Sequence, residues 1–126
     1  MIMGVGVDII EVSRMARALA RREAAFFRRV FTEGEQRDCR SRRAGAACFA
    51  SRFAAKEAVM KALGCGWGPV GWTDVEIRRT PSGRPAVALH GAAARWAAER
   101  DIAAVHVSLS HEREYAVAYA VAVGRE

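Results

Sequence analysis

Two carboxylates stand in apolar stretches of the sequence, where charged residues are unusual. Asp8 lies within the β-branched run IMGVGVDII, and Glu57 occupies a position at which the helical spacing of Phe49, Phe53 and Met60 predicts an apolar side chain. Burying a carboxylate without a partner costs several kcal/mol, so each of the two needs a cation. Two carboxylates with water form the kind of oxygen site that Mg²⁺ uses when substrate phosphates complete its coordination.

A local ion pair is the simpler explanation for each carboxylate taken alone. Glu57 precedes Lys61 by four residues, and Asp8 has many arginines to choose from. Basic residues are also concentrated on the predicted helix of Glu57, namely Arg52, Lys56 and Lys61. Carboxylates for a metal ion together with cations for phosphate favour phosphate chemistry over two separate ion pairs.

His111 is the strongest histidine candidate. It follows Ser108 and Ser110 in SLSHE, at the end of a segment with the alternating pattern of a strand. A histidine at this place can bind phosphate or move a proton, although an isolated histidine is more often structural. His90 and His106 have weaker claims.

The glycines before Asp8 do not form a dinucleotide-binding motif. GVGVD lacks the third glycine, and no helix is predicted to begin at the required position. We therefore interpret Gly4 and Gly6 as positions of close packing.

The first half of the chain, which carries Asp8 and Glu57, predicts one strand and three helices. IMGVGVDII predicts a strand, and the next twenty residues predict a helix whose arginine side is separate from its apolar side. Thr32 and Glu35 have the spacing of a capping box at the start of a short helix. The longest helix is predicted over residues 44–63, with Gly64 as a left-handed stop.

The second half predicts mainly strands. TDVEIRRT and PAVALH flank PSGR, which suits a hairpin turn, and GAAARWAAERDI predicts a helix. AAVHVSLSHEREYAVAYAVAV predicts two strands joined at HERE. The expected fold class is α+β, a single compact domain over residues 1–126 with a long central helix packed on a mainly antiparallel sheet.

Composition limits the possible partners and compartments. The net charge of +6 comes almost entirely from arginine, because Lys56 and Lys61 are the only lysines, and it predicts an acidic partner or an anionic ligand. The three cysteines fit neither a zinc knuckle nor a disulfide framework, which predicts reduced thiols. With no apolar run of membrane-spanning length and no basic leader, we expect a soluble cytoplasmic protein.

Five segments occur in an order that resembles a known family. They are GVGVDIIEVSRM, FTEGE, RFAAKEAVMKALG, SGRP and VSLSHEREYAVAYAV, and together they extend over nearly the whole chain. Their order resembles that of the holo-(acyl-carrier-protein) synthases, the small trimeric branch of the 4′-phosphopantetheinyl transferase superfamily. The larger relatives carry an acidic residue two positions after the first metal ligand, whereas Ile10 stands there in this chain, as in the small branch.

The resemblance implies an activity and a set of site residues. The activity is transfer of 4′-phosphopantetheine from coenzyme A to a serine of apo acyl carrier protein, with release of adenosine 3′,5′-bisphosphate, for fatty acid and possibly polyketide biosynthesis. Asp8 and Glu57 would be the Mg²⁺ ligands and, with His111, the catalytic residues. The implied coenzyme A contacts are Arg52, Phe53, Lys61, Gly64, Ser110 and His111.

The resemblance also implies an assembly and a docking surface. Active sites would lie between the subunits of a homotrimer, so that His111 serves the metal site of a neighbouring chain. The helix after Asp8, with Arg14, Arg17 and Arg21 on one face, would dock the acidic carrier protein. Glu57, a metal-bound water and His111 all remain candidates for accepting the proton of the serine.

Two other functions compete on composition alone. A nucleic-acid-binding module would suit the net charge, but the arginines lack interleaved stacking aromatics and no recognition motif occurs. A domain that binds an acidic protein without chemistry would leave Asp8 and Glu57 in their apolar surroundings unexplained.

Overall fold

The fold follows the predicted order of strands and helices, with one helix more than predicted after the first strand. The computed structural model describes residues 1–126. In chain order the elements are β1 Ile2–Glu11, α1 Val12–Ala20, α2 Ala24–Val30, α3 Glu33–Arg40, α4 Gly45–Leu63, β2 Val75–Arg79, β3 Pro85–Leu89, α5 Gly91–Glu99, β4 Ile102–His111 and β5 Tyr115–Gly124, with a single 3₁₀ turn at Trp72–Asp74 before β2. The predicted α+β class is confirmed. No helix has both the length and the apolar character needed to cross a membrane.

All strand pairs of the two sheets are antiparallel. β5 lies between β1 and β4 in a three-stranded sheet, and β2 pairs with β3 in a separate hairpin closed by the PSGR turn. The register sets Asp8 opposite Ala118 of β5, and Leu109 of β4 opposite the same alanine. This register fixes how far the ends of β1 and β4 lie from each other.

Helix α4 is buried on nearly every side, which corrects the single apolar stripe expected for it. Fourteen of its 19 residues are buried. The sheet covers one side, and α1, α3 and β2 cover much of the rest. Its many alanines allow this, because small side chains let several elements approach one helix closely, and a helix apolar all round belongs in a core.

Strand β1 packs directly on the backbone of α4. A Cβ atom at Gly4 would lie 2.1 Å from the carbonyl oxygen of Ala62, and one at Gly6 would lie 2.0 Å from that of Ala58. Only glycine permits this approach, so the interpretation of Gly4 and Gly6 as close-packing positions is confirmed.

The predicted helix ends are confirmed at two places. The Thr32 hydroxyl accepts from Glu35 N at 3.1 Å, and Glu35 Oε1 accepts from Thr32 N at 2.9 Å, which completes the capping box of α3. Gly64 follows α4 in the left-handed conformation, with φ of 75°. Both ends were readable from local residue types because local contacts form them.

The single helix predicted after β1 is wrong, because it is broken into α1 and α2. Arg22 adopts a left-handed conformation with φ of 53° between the two helices. The turn changes the helix direction, so that Met15 and Ala18 of α1 and Phe27 and Val30 of α2 all reach the core.

The expectation of three reduced thiols is also wrong for this structure. Cys39 and Cys48 form a disulfide with their Cα atoms 5.3 Å apart, and Cys65 is free. The pair meets because the chain turns between the end of α3 and the start of α4, and these helices pack on each other. The spacing of cysteines in the sequence carries no signal for such a contact.

Candidate active site

Asp8 and Glu57 come together where β1 crosses α4. Asp8 lies on the helix-facing side of β1, one alternation after Gly6, with about a fifth of its side chain exposed. Burial and the charge of Asp8 raise the pKa of Glu57, while Lys61, a polar contact with Trp67 and Arg14 act in the opposite direction. We call Asp8, Glu57 and Lys61 the carboxylate site.

Lys61 is the cation of this site, but it does not pair with Glu57. Its Nζ lies 3.5 Å from Asp8 Oδ1 and donates to the Val7 carbonyl oxygen at 2.9 Å. Glu57 has no ion pair within 4.0 Å. The local pair considered between Glu57 and Lys61 is therefore absent, and Lys61 only partly offsets two adjacent carboxylates.

The carboxylate site fits a divalent cation. Two neighbouring carboxylates raise the proton affinity of one of them, and a bound cation would relieve the same repulsion. No cluster of three or more acidic, histidine or cysteine ligands exists in the chain. A cation held here would thus keep coordination positions for water or substrate, as Mg²⁺ does in phosphate chemistry.

Two of the three basic residues predicted near Glu57 form ion pairs inside the protein. The Lys56 ammonium is fully buried and contacts Glu35 Oε1 at 2.7 Å. Arg52 is also buried, and its guanidinium pairs with Asp38. Arg52, Lys56 and Lys61 lie on one helix and were expected to act together. Because other elements surround this helix, the three side chains contact different carboxylates.

The sequence predicted Glu35 only as a capping residue and gave no sign of its ion pair with Lys56. Glu35 Oε2 accepts from Ile77 N at 2.8 Å, and Lys56 Nζ donates to the carbonyl oxygens of Trp72, at 3.1 Å, and Val75. Burial lowers the pKa of Lys56, and Glu35 opposes this shift. The pair joins α3 and α4 to β2, and no spacing rule links residues 21 positions apart.

His111 lies in a different place, in a cleft of about 530 Å³ beside the β2–β3 hairpin. The cleft also contains Ser51, Arg52, the hairpin residues Gly83 and Pro85, and two arginine doublets. We call it the arginine cleft; its charged members are Arg42, Arg43, Arg52, Arg78, Arg79 and His111. Two buried polar atoms here, Arg42 Nε and Ser51 Oγ, have no hydrogen-bond partner within the chain.

One chain does not bring His111 to the carboxylate site. His111 pairs with Ala116, which pairs with Ile10, so Asp8 lies two strands across and two residues along. With strands about 4.8 Å apart and residues about 3.4 Å apart, their backbones are separated by about 12 Å. Within one chain, His111 and the carboxylate site therefore lie at separate positions on the same side of the sheet.

Ser110 faces the other side of the sheet from His111. Its partner Val117 belongs to an outer face that carries exposed apolar side chains. We call this the outer sheet face; its large apolar members are Val5, Val7, Ile9, Tyr115, Val117 and Tyr119. A sheet face of this composition is typical of a protein interface.

The arginines of α1 are brought together as predicted. Arg14, Arg17 and Arg21 are exposed and line a groove of about 270 Å³ with Phe26 and Phe53. We call the three arginines the arginine row. Arg14 acts on the pKa of Glu57, so the row adjoins the carboxylate site.

Two of the predicted coenzyme A contacts, Phe53 and Gly64, lie apart from His111. Phe53 lines the groove of the arginine row and stacks on Trp72 at 5.0 Å between ring centroids. Gly64 is exposed, and no atom lies within 4 Å of the place where a Cβ would stand. Neither residue is in the arginine cleft of its own chain.

Comparison with known proteins identifies the family. The model of the 4′-phosphopantetheinyl transferase superfamily matches residues 4–120, which include both carboxylates and His111. The chain belongs to this superfamily. A holo-[acyl-carrier-protein] synthase of Desulforudis audaxviator is 53% identical over 124 residues, covering 98% of this chain and 95% of that protein.

Solved structures of phosphopantetheinyl transferases share the fold. The crystal structure of holo-[acyl-carrier-protein] synthase from Neisseria meningitidis has a TM-score of 0.88 at 33% identity, covering 98% of this chain and 99% of that one. A holo-(acyl-carrier-protein) synthase from Bacillus anthracis, solved in complex with CoA (3′,5′-ADP), has a TM-score of 0.81 at 34% identity and covers 99% of each chain. The agreement extends over the whole domain.

The arginine doublets are site candidates that the sequence analysis missed in this transferase. Arg42 with Arg43 follows α3, and Arg78 with Arg79 ends β2. Both doublets were visible in the sequence, yet they are 36 residues apart, and only the packing of the hairpin on the start of α4 places them around one cleft.

Proposed function

We propose that this protein is a phosphopantetheinyl transferase that moves 4′-phosphopantetheine from coenzyme A to a serine of apo acyl carrier protein. The second product is adenosine 3′,5′-bisphosphate. The observation that carries the proposal is the carboxylate site, in which Asp8 and Glu57 lie next to each other and beside the arginine row. The family match supports the same chemistry.

Asp8 and Glu57 would hold Mg²⁺ in this proposal. When bound, the ion supplies neutralisation of the pyrophosphate and of the charge that develops on the leaving bisphosphate. Lys61 adds a positive charge next to Asp8 and holds that position through its bond to the Val7 carbonyl oxygen. The backbone contact of β1 with α4 keeps the two carboxylates at a fixed separation, and positioning of this kind lowers the barrier to in-line transfer.

The arginine cleft is the proposed binding place for the phosphates of coenzyme A. Its arginines and His111 supply positive charge and donors, and a phosphate would satisfy the buried Arg42 Nε and Ser51 Oγ atoms that have no partner in the chain. Of the predicted contacts, Arg52 and His111 line this cleft, whereas Lys61 belongs to the carboxylate site and Phe53 lines the neighbouring groove of the arginine row.

We infer a homotrimer with active sites between subunits, and the separation of the two sites within one chain supports this assembly. The arginine cleft of one chain and the carboxylate site of another would act on one coenzyme A molecule. The outer sheet face supplies an apolar contact surface, and Ser110 lies on it beside Val117. His111 then serves the carboxylate site of the neighbouring chain.

The arginine row is the proposed docking surface for the carrier protein. Three exposed arginines lie next to the carboxylate site and suit an acidic partner. The proposed setting is fatty acid biosynthesis in the cytoplasm. Glu57, a water molecule and His111 are the candidates for accepting the proton of the carrier serine.

Mass spectrometry of an apo carrier protein tests the proposal. Incubation with coenzyme A, Mg²⁺ and this protein should add one phosphopantetheine, whereas chelation of the metal or Asp8→Asn should prevent the addition. Glu99→Gln removes an exposed carboxylate at the end of α5 and should leave the addition unchanged. An unmodified carrier with the wild-type protein, or full modification by Asp8→Asn, would contradict the proposal.

A further inference from the structure

The Cys39–Cys48 pair lies at the wall of the arginine cleft. Cys39 is fully buried at the end of α3, and Cys48, in the first turn of α4, is 9% exposed and lines the cleft. Their Cα separation of 5.3 Å lies within the range that a disulfide requires without movement of the backbone. Cys48 therefore borders the cleft, and Cys39 is buried behind it.

The disulfide closes the loop that carries part of the cleft. Between the two cysteines the chain contains Arg42, Arg43 and Ala44, all of which line the cleft. This disulfide is the only covalent cross-link in the chain. A bond between the two sulfurs thus adds a restraint on the loop that carries two of the cleft arginines.

The sulfur of Cys39 also belongs to a network that holds Arg42 and Arg52 of the cleft. Arg52 Nη1 donates to Cys39 Sγ at 3.3 Å, and the same guanidinium pairs with Asp38. Asp38 in turn contacts Arg42 Nη2 at 3.1 Å. Arg42 and Arg52 together hold the pKa of the Asp38 carboxyl below its usual range, so these contacts involve the charged form of Asp38.

We propose that Cys39 and Cys48 form a reversible thiol oxidation site that controls the affinity of the arginine cleft for phosphate-bearing ligands. The identity of the ligand rests on the proposed function, whereas the oxidation site and its effect on loop order do not. Cysteine pairs of this kind in compartments that keep thiols reduced are usually catalytic or redox-sensing.

The oxidant in this proposal is a low-molecular-weight disulfide such as glutathione disulfide. The Cys48 thiolate attacks one of its sulfurs, which forms a mixed disulfide and releases one small thiolate. Cys39 then attacks the Cys48 sulfur and displaces the second small thiolate. Two protein thiols have lost two protons and two electrons, and the small disulfide has become two thiols. A dithiol reverses both steps.

Oxidation should strengthen binding, because it orders the loop before the ligand arrives. In the reduced protein, binding must immobilise Arg42 and Arg43 along with their loop. Ordering of two long side chains at an interface costs enough to weaken binding by about tenfold. The reduced protein should therefore bind the ligand about tenfold more weakly than the oxidised protein.

Calorimetric titration with adenosine 3′,5′-bisphosphate tests the effect on affinity. This probe contains no thiol, so the reductant cannot act on it. The wild-type protein is equilibrated with glutathione disulfide or with dithiothreitol, and thiols are counted in the folded and unfolded protein. We expect one thiol, Cys65, after oxidation and three after reduction. Cys65→Ser is the matched control and should preserve the tenfold difference, whereas Cys48→Ala should bind like the reduced protein in both buffers.

Hydrogen exchange at residues 41–45 supplies a readout that needs no ligand. Exchange should be faster in the reduced protein, with unchanged exchange in β5, and this comparison on the wild-type chain holds even if Cys48→Ala does not fold. Three thiols after oxidation, or equal affinity in the two states, would overturn the inference. If the bisphosphate binds neither state while exchange still changes, the cleft is not the coenzyme A site, but the oxidation site and its effect on loop order stand.

Discussion

Replacement of Lys56 by methionine distinguishes a buried structural ion pair from the phosphate contact that the sequence favoured. Lys56 has no exposed side-chain surface and donates to Glu35, Trp72 and Val75. Lys56→Met keeps the length of the side chain but leaves the Glu35 carboxylate buried without its cation. Removal of one member of such a pair costs about 3 to 5 kcal/mol.

That loss is large for a domain of this size. A small domain has a free energy of unfolding of about 5 to 15 kcal/mol, so Lys56→Met removes at least about a fifth of it. At roughly 3 to 5 °C per kcal/mol, the melting temperature should fall by about 9 to 25 °C. The carbonyl oxygens of Trp72 and Val75, which lose their donor, increase the cost.

Thermal unfolding followed by circular dichroism measures this effect. Lys61→Met is the matched control, because the same substitution on the same helix removes an ammonium whose side chain is 54% exposed, and its melting temperature should change by no more than about 2 °C. Adding Glu35→Gln to Lys56→Met should recover part of the loss, since no buried charge remains. Unchanged melting of Lys56→Met together with a raised KM for coenzyme A would refute the structural role.

Three further predictions concern the proposed site. Burial and the charge of Asp8 raise the pKa of Glu57, so the folded metal-free protein binds a proton there more tightly than the unfolded chain. Protonation of Glu57 therefore stabilises the folded protein at low pH, and this contribution is lost as the pH rises through the pKa of Glu57 in the folded state. Glu57→Gln should flatten this part of the melting-temperature profile and abolish stabilisation by Mg²⁺; an unchanged profile would contradict the assignment. Mixing inactive His111→Ala and Glu57→Gln proteins should restore part of the transfer activity, and light scattering should show a trimer; a fully active monomer would exclude the shared site. Arg14→Glu and Arg21→Glu should raise the KM for the carrier protein and make that KM less dependent on salt, while the KM for coenzyme A changes little. Equal effects on the two KM values would exclude the docking role.

Local chemistry made much of the fold predictable from the sequence. The Thr32–Glu35 capping box, the left-handed Gly64 and the PSGR hairpin each depend on residues within a few positions of one another. The carboxylate site was recognisable for a related reason. A charged residue within an apolar run departs from its own local pattern, so Asp8 and Glu57 stood out without knowledge of their partners.

Long-range packing accounts for what the sequence did not show. Lys56 and Arg52 appeared to share a role with Lys61, but Glu35 and Asp38 bind them from another helix. The arginine doublets, the Cys39–Cys48 contact and the break at Arg22 likewise depend on how α3, α4 and the hairpin are arranged. Periodicity along one helix describes its faces and does not say which neighbour covers each face.

The glycine contact between β1 and α4 has a consequence for how substitutions in this protein are interpreted. Any side chain at Gly6 would collide with the Ala58 carbonyl oxygen and push apart the backbones that carry Asp8 and Glu57. A mutational scan scored by activity would therefore rank Gly6 with the acidic residues, although it has no group that could touch a substrate. Intolerance at Gly6 would reflect a requirement for spacing, and only a scan scored in parallel by folded yield would separate that requirement from chemistry.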